Sequence, residues 1–358
     1  MQRRTLLKAL AAGGLLPVAG VAAAAVPFRD VLETPAQKSP LAARGLVSGL
    51  TRAGKRLVAV GQRGHVLLSD DAGKTWQQAD VPVSADLVAA CFPNEQTGWA
   101  VGHDGVILAS KDGGLSWSLQ LDGLRANAAV AADIKQKAAA QPQSETYKAL
   151  LAEAARNAEL GADKPFLDVW FADERTGYAV GAYNLAFRTD DGGATWTPWF
   201  DRTDNPKFLN LYAIRPAGGQ LFIVGETGLV LKLDPAAQRF RAVAVPYPGT
   251  LLGIVGDSNT LLVYGLRGQA FRSEDAGSSW TKVNAALPAT IVAGAALTDQ
   301  LVLADVSGRL SRSFDGGRTF QPVAAAPSMM VAGIVDAGNG RLALAGARGV
   351  AMTALPPR

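Results

Sequence analysis

The residues best equipped for chemistry are five aspartates that recur in one frame. Asp71, Asp112, Asp191, Asp275 and Asp315 each follow a Ser or Thr by two positions and precede a Gly by two, and each is followed five positions on by Trp76, Trp117, Trp196, Trp280 or Phe320. Carboxylates hydrolyse glycosides when two of them flank a single bond. Aspartates spread over five separate copies cannot converge in that way. Their neighbours specify a turn instead: the Asp side chain accepts from nearby backbone N–H groups, Gly takes positive φ, and the aromatic anchors the strand that follows. The five are structural Asp-boxes. Thiol and metal chemistry are poorly supplied. The single cysteine, Cys91, excludes an internal disulfide or a Cys-cluster metal site, and with only His65 and His103 a histidine-rich centre is excluded too. These two histidines stand near neighbouring turns together with Asp104, and they read as ordinary loop histidines. No metal and no cofactor is expected.

A second set of polar residues sits on turns between apolar strands. Gly61, Gly64, Gly102, Gly105, Gly225, Gly228, Gly265 and Gly268 bracket such turns, whose tips carry Arg63, Asp104, Tyr183, Glu226, Arg267 and Arg348. Strand, glycine turn, strand, Asp-box and outer strand together make one unit. The box aromatics are 41, 79, 44, 40 and 40 residues apart, with a degenerate turn ending at Phe240 filling the largest interval. Repeats near 40 residues built of short β-rich runs predict four-stranded propeller blades. The expected fold is all-β, a seven-bladed β-propeller in one domain over residues 26–358. Residues 28–35 resemble the outer strand at Phe240 and are expected to complete blade seven, so that no sheet edge stays open.

The 79-residue gap holds one blade plus an insertion over about 124–165, between blades 2 and 3. Its Ala, Lys, Glu and Gln content, with Leu150, Leu151 and Ala155 at helical spacing, predicts a helical hairpin broken near Pro142 and capped by Ser144. The hairpin is either a packed decoration or a partner site. Strand alternation places the Asp-boxes on one face of the disc and the glycine-turn tips, the inter-blade links and the insertion on the other. Loops on a rigid scaffold are the usual seat of function. On the tip face, Arg348 and Arg63 fall on neighbouring blades and are expected to form a basic patch. Arg188, Lys232, Arg272 and Arg312 recur before the boxes and read as a solvated blade edge.

Of the 358 residues, 48% are apolar and 18% charged, as in a globular chain. The N-terminus carries Arg3, Arg4 and Lys8, then an uncharged alanine-rich run, which reads as a signal peptide over residues 1–25. The arginine pair fits twin-arginine export to the periplasm, although Gln2 and Leu6 leave the general Sec route open. Without Arg3, Arg4 and Lys8 the chain holds 32 basic against 31 acidic residues, so bulk nucleic-acid binding loses its electrostatic support.

With these motifs placed, the mature chain resembles the BNR-repeat propellers of the photosystem II stability/assembly factor type. The resemblance rests on Thr97, Gly98, Trp99, Ala100, Val101, Gly102, His103, Asp104 and Gly105 running into the Asp-box, on the seven repeats and on the export signal. It implies a non-enzymatic, exported, monomeric scaffold that assists assembly of an integral-membrane protein complex, photosystem-like or a transporter. It also implies an arginine-rich patch, for which Arg63, Arg267 and Arg348 are the positional matches, with Tyr183 beside them as a partner-binding residue. The insertion departs from the simplest pattern of that family. The alternative is a glycoside hydrolase, sialidase-like or glucan-active, since Asp-boxes also occur there and Tyr183, Glu226, Asp104 and three arginines share one face. Against it, no early Arg-Ile-Pro signature is present, and Ile214, Arg215 and Pro216 run in another order.

Overall fold

The computed structural model describes residues 29–324 and 329–357. The signal-peptide stretch, residues 1–25, lies outside them. Seven antiparallel sheets follow one another along the chain, at residues 47–78, 87–121, 166–198, 211–242, 251–284, 291–323 and 331–354. They are blades 1 to 7. Each of the first six has four strands in sequence order, and the last has three. The innermost strands surround a central axis, and that of blade 7 lies against that of blade 1, so the ring is closed.

Alternation of burial explains why these segments form blades. The second strand of each blade is a nearly unbroken small or apolar run, such as Gly98–Gly102 or Leu261–Gly265, and it is buried along its length because both of its faces meet a neighbouring blade. The box aromatics fill the gaps between blades. Trp117 packs into the cluster between blades 1 and 2, edge-on to Phe92 at 5.8 Å, and its indole N–H donates to the Gly114 carbonyl at 2.9 Å. Gly114 holds φ 89°, a conformation that disfavours any side chain.

Closure does not use residues 28–35 as a strand. Phe28 lies outside the described residues, and the segment from Arg29 to Pro35 is a turn with irregular flanks. Val31, Leu32 and Ala36 find apolar cover at the boundary of blades 1 and 2 instead. Ser84 N–H donates to the Val31 carbonyl and Ala36 N–H to that of Val81, at 2.9 and 3.0 Å. These partners lie on the link into blade 2, away from blade 7. The seam between blades 7 and 1 is held by side-chain packing and by Arg52, whose Nη1 donates to the Asp336 carbonyl at 3.4 Å.

The expected solvated edge is also different. Arg272 and Arg312 are buried, 7% and 8% exposed, and both reach into the following blade. Arg272 Nε donates to the Gly316 carbonyl in the box of blade 6, and Lys232 Nζ to the Ala276 carbonyl in the box of blade 5. Arg312 has no box to meet in blade 7 and donates to the Pro356 and Pro357 carbonyls, at 2.5 and 3.1 Å. Arg188 donates to the Gln238 side chain on the turn of blade 4. Basic side chains before the boxes therefore tie each blade to the next.

The insertion is a helical hairpin, α1 (Gly123–Ala140) and α2 (Glu145–Leu160). Asp122 caps α1 by accepting from Arg125 N–H, and Ser144 caps α2 by accepting from Tyr147 N–H. Ile134 and Ala154 bury against Phe200 on the link after blade 3, and Lys137 bridges Asp133 and Asp201. The hairpin is thus fastened to the propeller.

Candidate partner-binding face

The glycine turns join the second and third strands of a blade, and the Asp-boxes join the third and fourth, so tips and boxes occupy opposite faces. In each box the aspartate closes the turn. Asp191 Oδ1 accepts from Thr195 N–H at 2.9 Å and Oδ2 from the Thr195 hydroxyl at 2.6 Å, and the other four repeat this pattern. The Thr195 hydroxyl and amide pull the Asp191 carboxyl down to about 2, and those of Ser279 do the same for Asp275. These carboxylates are saturated by their own turns.

On the tip face, Arg63, Asp104, Tyr183, Thr227 and Arg267 occupy equivalent left-handed positions with φ between 50° and 58°. Non-glycine residues rarely adopt this conformation, which places their side chains outward at the apex. The next blade holds two of the apices: Arg63 N–H donates to Asp86 Oδ1 and Tyr183 N–H to Asn210 Oδ1, both at 2.7 Å. Glu226 is not at the apex. Thr227 is, and Glu226 folds back to accept from the Asn210 amide and side chain at 2.9 and 3.1 Å. Burial raises the pKa of Asp104, and Asp30 and Asp86 add to it. His65 is buried behind its tip, and desolvation lowers its pKa, with the Arg63 charge adding to the effect. Among the described residues no group of three or more His, Cys, Asp or Glu side chains is placed to hold a metal ion.

The four sequence candidates share this face but do not meet at one point. Tyr183, 64% exposed, projects from blade 3. Arg267 stands on blade 5. Arg348 occupies a two-residue turn of blade 7 between the paired Gly346 and Gly349. Gly349, at φ 91°, lies so near the lead-in segment that an added Cβ would be 2.0 Å from the Ala43 oxygen. That close approach sets Arg44 beside Arg348, with Arg63 on the adjoining blade, so the expected basic corner gains a third arginine.

Two concave surfaces adjoin Arg267. One of about 470 Å³ is lined by Thr227, Leu229, Val243, Val245, Tyr247 and Pro248, among others. The other, of about 420 Å³, shares Tyr247 and Pro248 and is bounded by Leu266, Arg267 and Gln269. Together they form a groove between the tips of blades 4 and 5, with apolar walls and a guanidinium at one end. The link from Val243 to Thr250 that forms one wall contains no charged residue. An uncharged run with a Tyr-Pro pair on a solvent-facing link is the signal by which the sequence marks this groove, and it was not among the candidates.

Residues 148–316 match the family model described as photosynthesis system II assembly factor YCF48. Comparison of the sequence with curated proteins gives no match. Among solved structures, YCF48 bound to a D1 peptide aligns with a TM-score of 0.64 at 16% identity, over 90% of this chain and 98% of that one. YCF48 from Cyanidioschyzon merolae aligns at 0.62 and 18% identity, over 88% of this chain and 97% of that one. The GH74 enzyme of Niastella koreensis aligns at 0.60 and 13% identity, over 87% of this chain and 52% of that one. At such identities the likeness is one of fold.

Proposed function

We propose that this chain, a BNR-repeat propeller of the photosystem II assembly-factor type, is a non-enzymatic scaffold that binds an extended segment of an integral-membrane protein and assists assembly of its complex. The observation that carries this reading is the groove of blades 4 and 5. Its apolar walls suit the side chains of an extended peptide, and Arg267 suits a carboxylate on that peptide. A D1 peptide bound to a structurally similar propeller supports the same mode of use. Arg63, Arg348 and Tyr183 lie on the same face and extend the contact surface of the partner complex, photosystem-like or a transporter.

The scaffold works in the periplasm as a monomer, delivered by the twin-arginine route, and takes no nucleic acid. No helix among the described residues is long and apolar enough to cross a membrane. The competing hydrolase reading draws on the GH74 fold likeness and on the tip carboxylates. Glu226 is occupied by Asn210, however, and the box carboxylates by their turns.

The test is capture from solubilised membranes with the tagged protein, followed by identification of the bound chain and direct titration of its terminal or loop peptide. Arg267→Ala with Tyr247→Ala should weaken the peptide by on the order of tenfold to a thousandfold, two contacts at about 1–2 kcal/mol each. Unchanged affinity would move the site off this groove. Cleavage of sialosides or β-glucans that Tyr183→Phe or Glu226→Gln abolishes would replace the scaffold with the hydrolase.

A further inference from the structure

Ten large apolar side chains are exposed among the described residues, and Leu115 alone stands on a box turn. The other nine belong to tips, links, the lead-in or the helical insertion. Three of them meet three arginines where blade 7 joins blade 1. Ala347 N–H donates to the Met330 carbonyl at 3.2 Å, which sets Met330 beside Arg348. A Cβ on Gly349 would lie 3.4 Å from the Arg44 Cα, so Arg44 flanks the same turn. Gln62 N–H donates to the Leu46 carbonyl at 3.1 Å, which puts Leu46 beside Arg63. Leu41 leads into this corner and is 63% exposed, and Met330 is 65% exposed.

The arginines are uncommitted. Arg44, Arg63 and Arg348 are exposed and form no ion pair among the described residues. The acid nearest to them in these contacts, Asp86, already accepts from Arg63 N–H. The corner therefore presents aliphatic side chains raised on turns beside unpaired positive charge. A fitted peptide site is concave, and the groove of blades 4 and 5 has that shape. A convex set of aliphatic and guanidinium groups matches a fluid boundary, where aliphatic groups enter the acyl edge and arginines pair with phosphates.

We propose that the corner of blades 7 and 1 docks the propeller onto an anionic lipid bilayer, with Leu41, Leu46 and Met330 dipping into the headgroup layer and Arg44, Arg63 and Arg348 on lipid phosphates. The inference stands on the corner alone and does not require the peptide groove. Docking in this way turns the whole tip face, groove included, toward the membrane.

The test is co-sedimentation of the full chain with phosphatidylcholine vesicles, with or without one third phosphatidylglycerol, at low and high salt. Binding is expected to need phosphatidylglycerol and to weaken with salt. Arg44→Gln, Arg63→Gln and Arg348→Gln together should lower affinity by on the order of a hundredfold, from about a factor of five per arginine at an anionic surface. Leu41→Ser with Met330→Ser should reduce it as well, and these solvent-facing changes should leave the melting temperature of the propeller in place. Arg267→Ala should leave vesicle binding intact even where it abolishes peptide binding, so the two sites can fail separately. Absence of phosphatidylglycerol-dependent binding overturns the proposal. Binding that is indifferent to both sets of changes also overturns it, because the leader or another face then carries the contact. Loss of protein capture by the corner variants, with vesicle binding unchanged, would assign the corner to a protein client.

Discussion

Arg312 offers a direct test of how the blades are held together. Its guanidinium is buried, donates to the Pro356 and Pro357 carbonyls, and lies over the Phe314 ring at 4.8 Å from the centroid. No acid partners it among the described residues. Arg312→Met keeps the apolar stem and removes the donors. Two hydrogen bonds from a charged group are each worth about 1.5–3 kcal/mol, and relief of a buried charge returns part of this. The expected net loss is about 2–3 kcal/mol in urea unfolding. The loss should be local as well as global. Leu355 N–H donates to the Gly340 carbonyl at the end of blade 7, and Leu355 packs at the boundary of blades 6 and 7. Hydrogen exchange at Leu355 should quicken in the variant while blade 3 stays protected. A stability change below about 0.5 kcal/mol, or a larger one with Leu355 exchange unaltered, would refute the idea that these bonds pin the last blade.

The Asp-boxes and the leader make further predictions. Asp112→Ala removes the acceptor for Ser116 N–H, the Ser116 hydroxyl and the Ser110 hydroxyl, and should lower stability by roughly 1–3 kcal/mol without loss of peptide binding in the folded protein, measured by urea titration beside a binding isotherm. The boxes also fix the acid limb. Because Thr195 and Ser279 depress the folded-state pKa of Asp191 and Asp275 to about 2, the unfolded chain binds more protons below its own carboxylate pKa. Their stabilisation is complete above about pH 4 and is lost as pH falls toward 2, so melting temperatures recorded down that range should drop steadily. Arg3→Lys with Arg4→Lys should trap the precursor in the cytoplasm, seen by fractionation, whereas normal periplasmic delivery would assign the leader to the Sec route.

Much of this architecture is legible in the sequence because a local motif marks each blade. The frame around Asp71 recurs at Asp112, Asp191, Asp275 and Asp315, and local hydrogen bonds inside the turn make that frame obligatory. The helical hairpin is legible for the same reason, down to the Ser144 cap. Closure was not legible, since the resemblance of residues 28–35 to the strand at Phe240 says nothing about which distant edge they reach. Val31 and Ala36 are drawn to apolar cover at blades 1 and 2. The basic residues before the boxes were misread because their partners lie one repeat downstream: Lys232 meets Ala276, Arg272 meets Gly316 and Arg312 meets Pro356, each 44 residues on. That shared offset was available in the sequence. The corner with Arg44 was hidden for another reason, as the lead-in reaches Gly349 only through the closed ring.

The three-stranded last blade bears on how such a ring can change over generations. Among the described residues, every blade is folded from one unbroken stretch, and no strand is lent from one end of the chain to the other. Where the two ends share a sheet, removing or adding a unit orphans a strand. Here the seam is side-chain packing with one bridging arginine, similar in kind to every other boundary. Duplication, loss or exchange of a whole unit, such as the 40 residues between Trp280 and Phe320, leaves no sheet incomplete. The chain can equally be cut at any inter-blade link and rejoined across the seam as a circular permutant. The helical hairpin between blades 2 and 3 occupies one of those tolerant links, and the ring closes around it undisturbed.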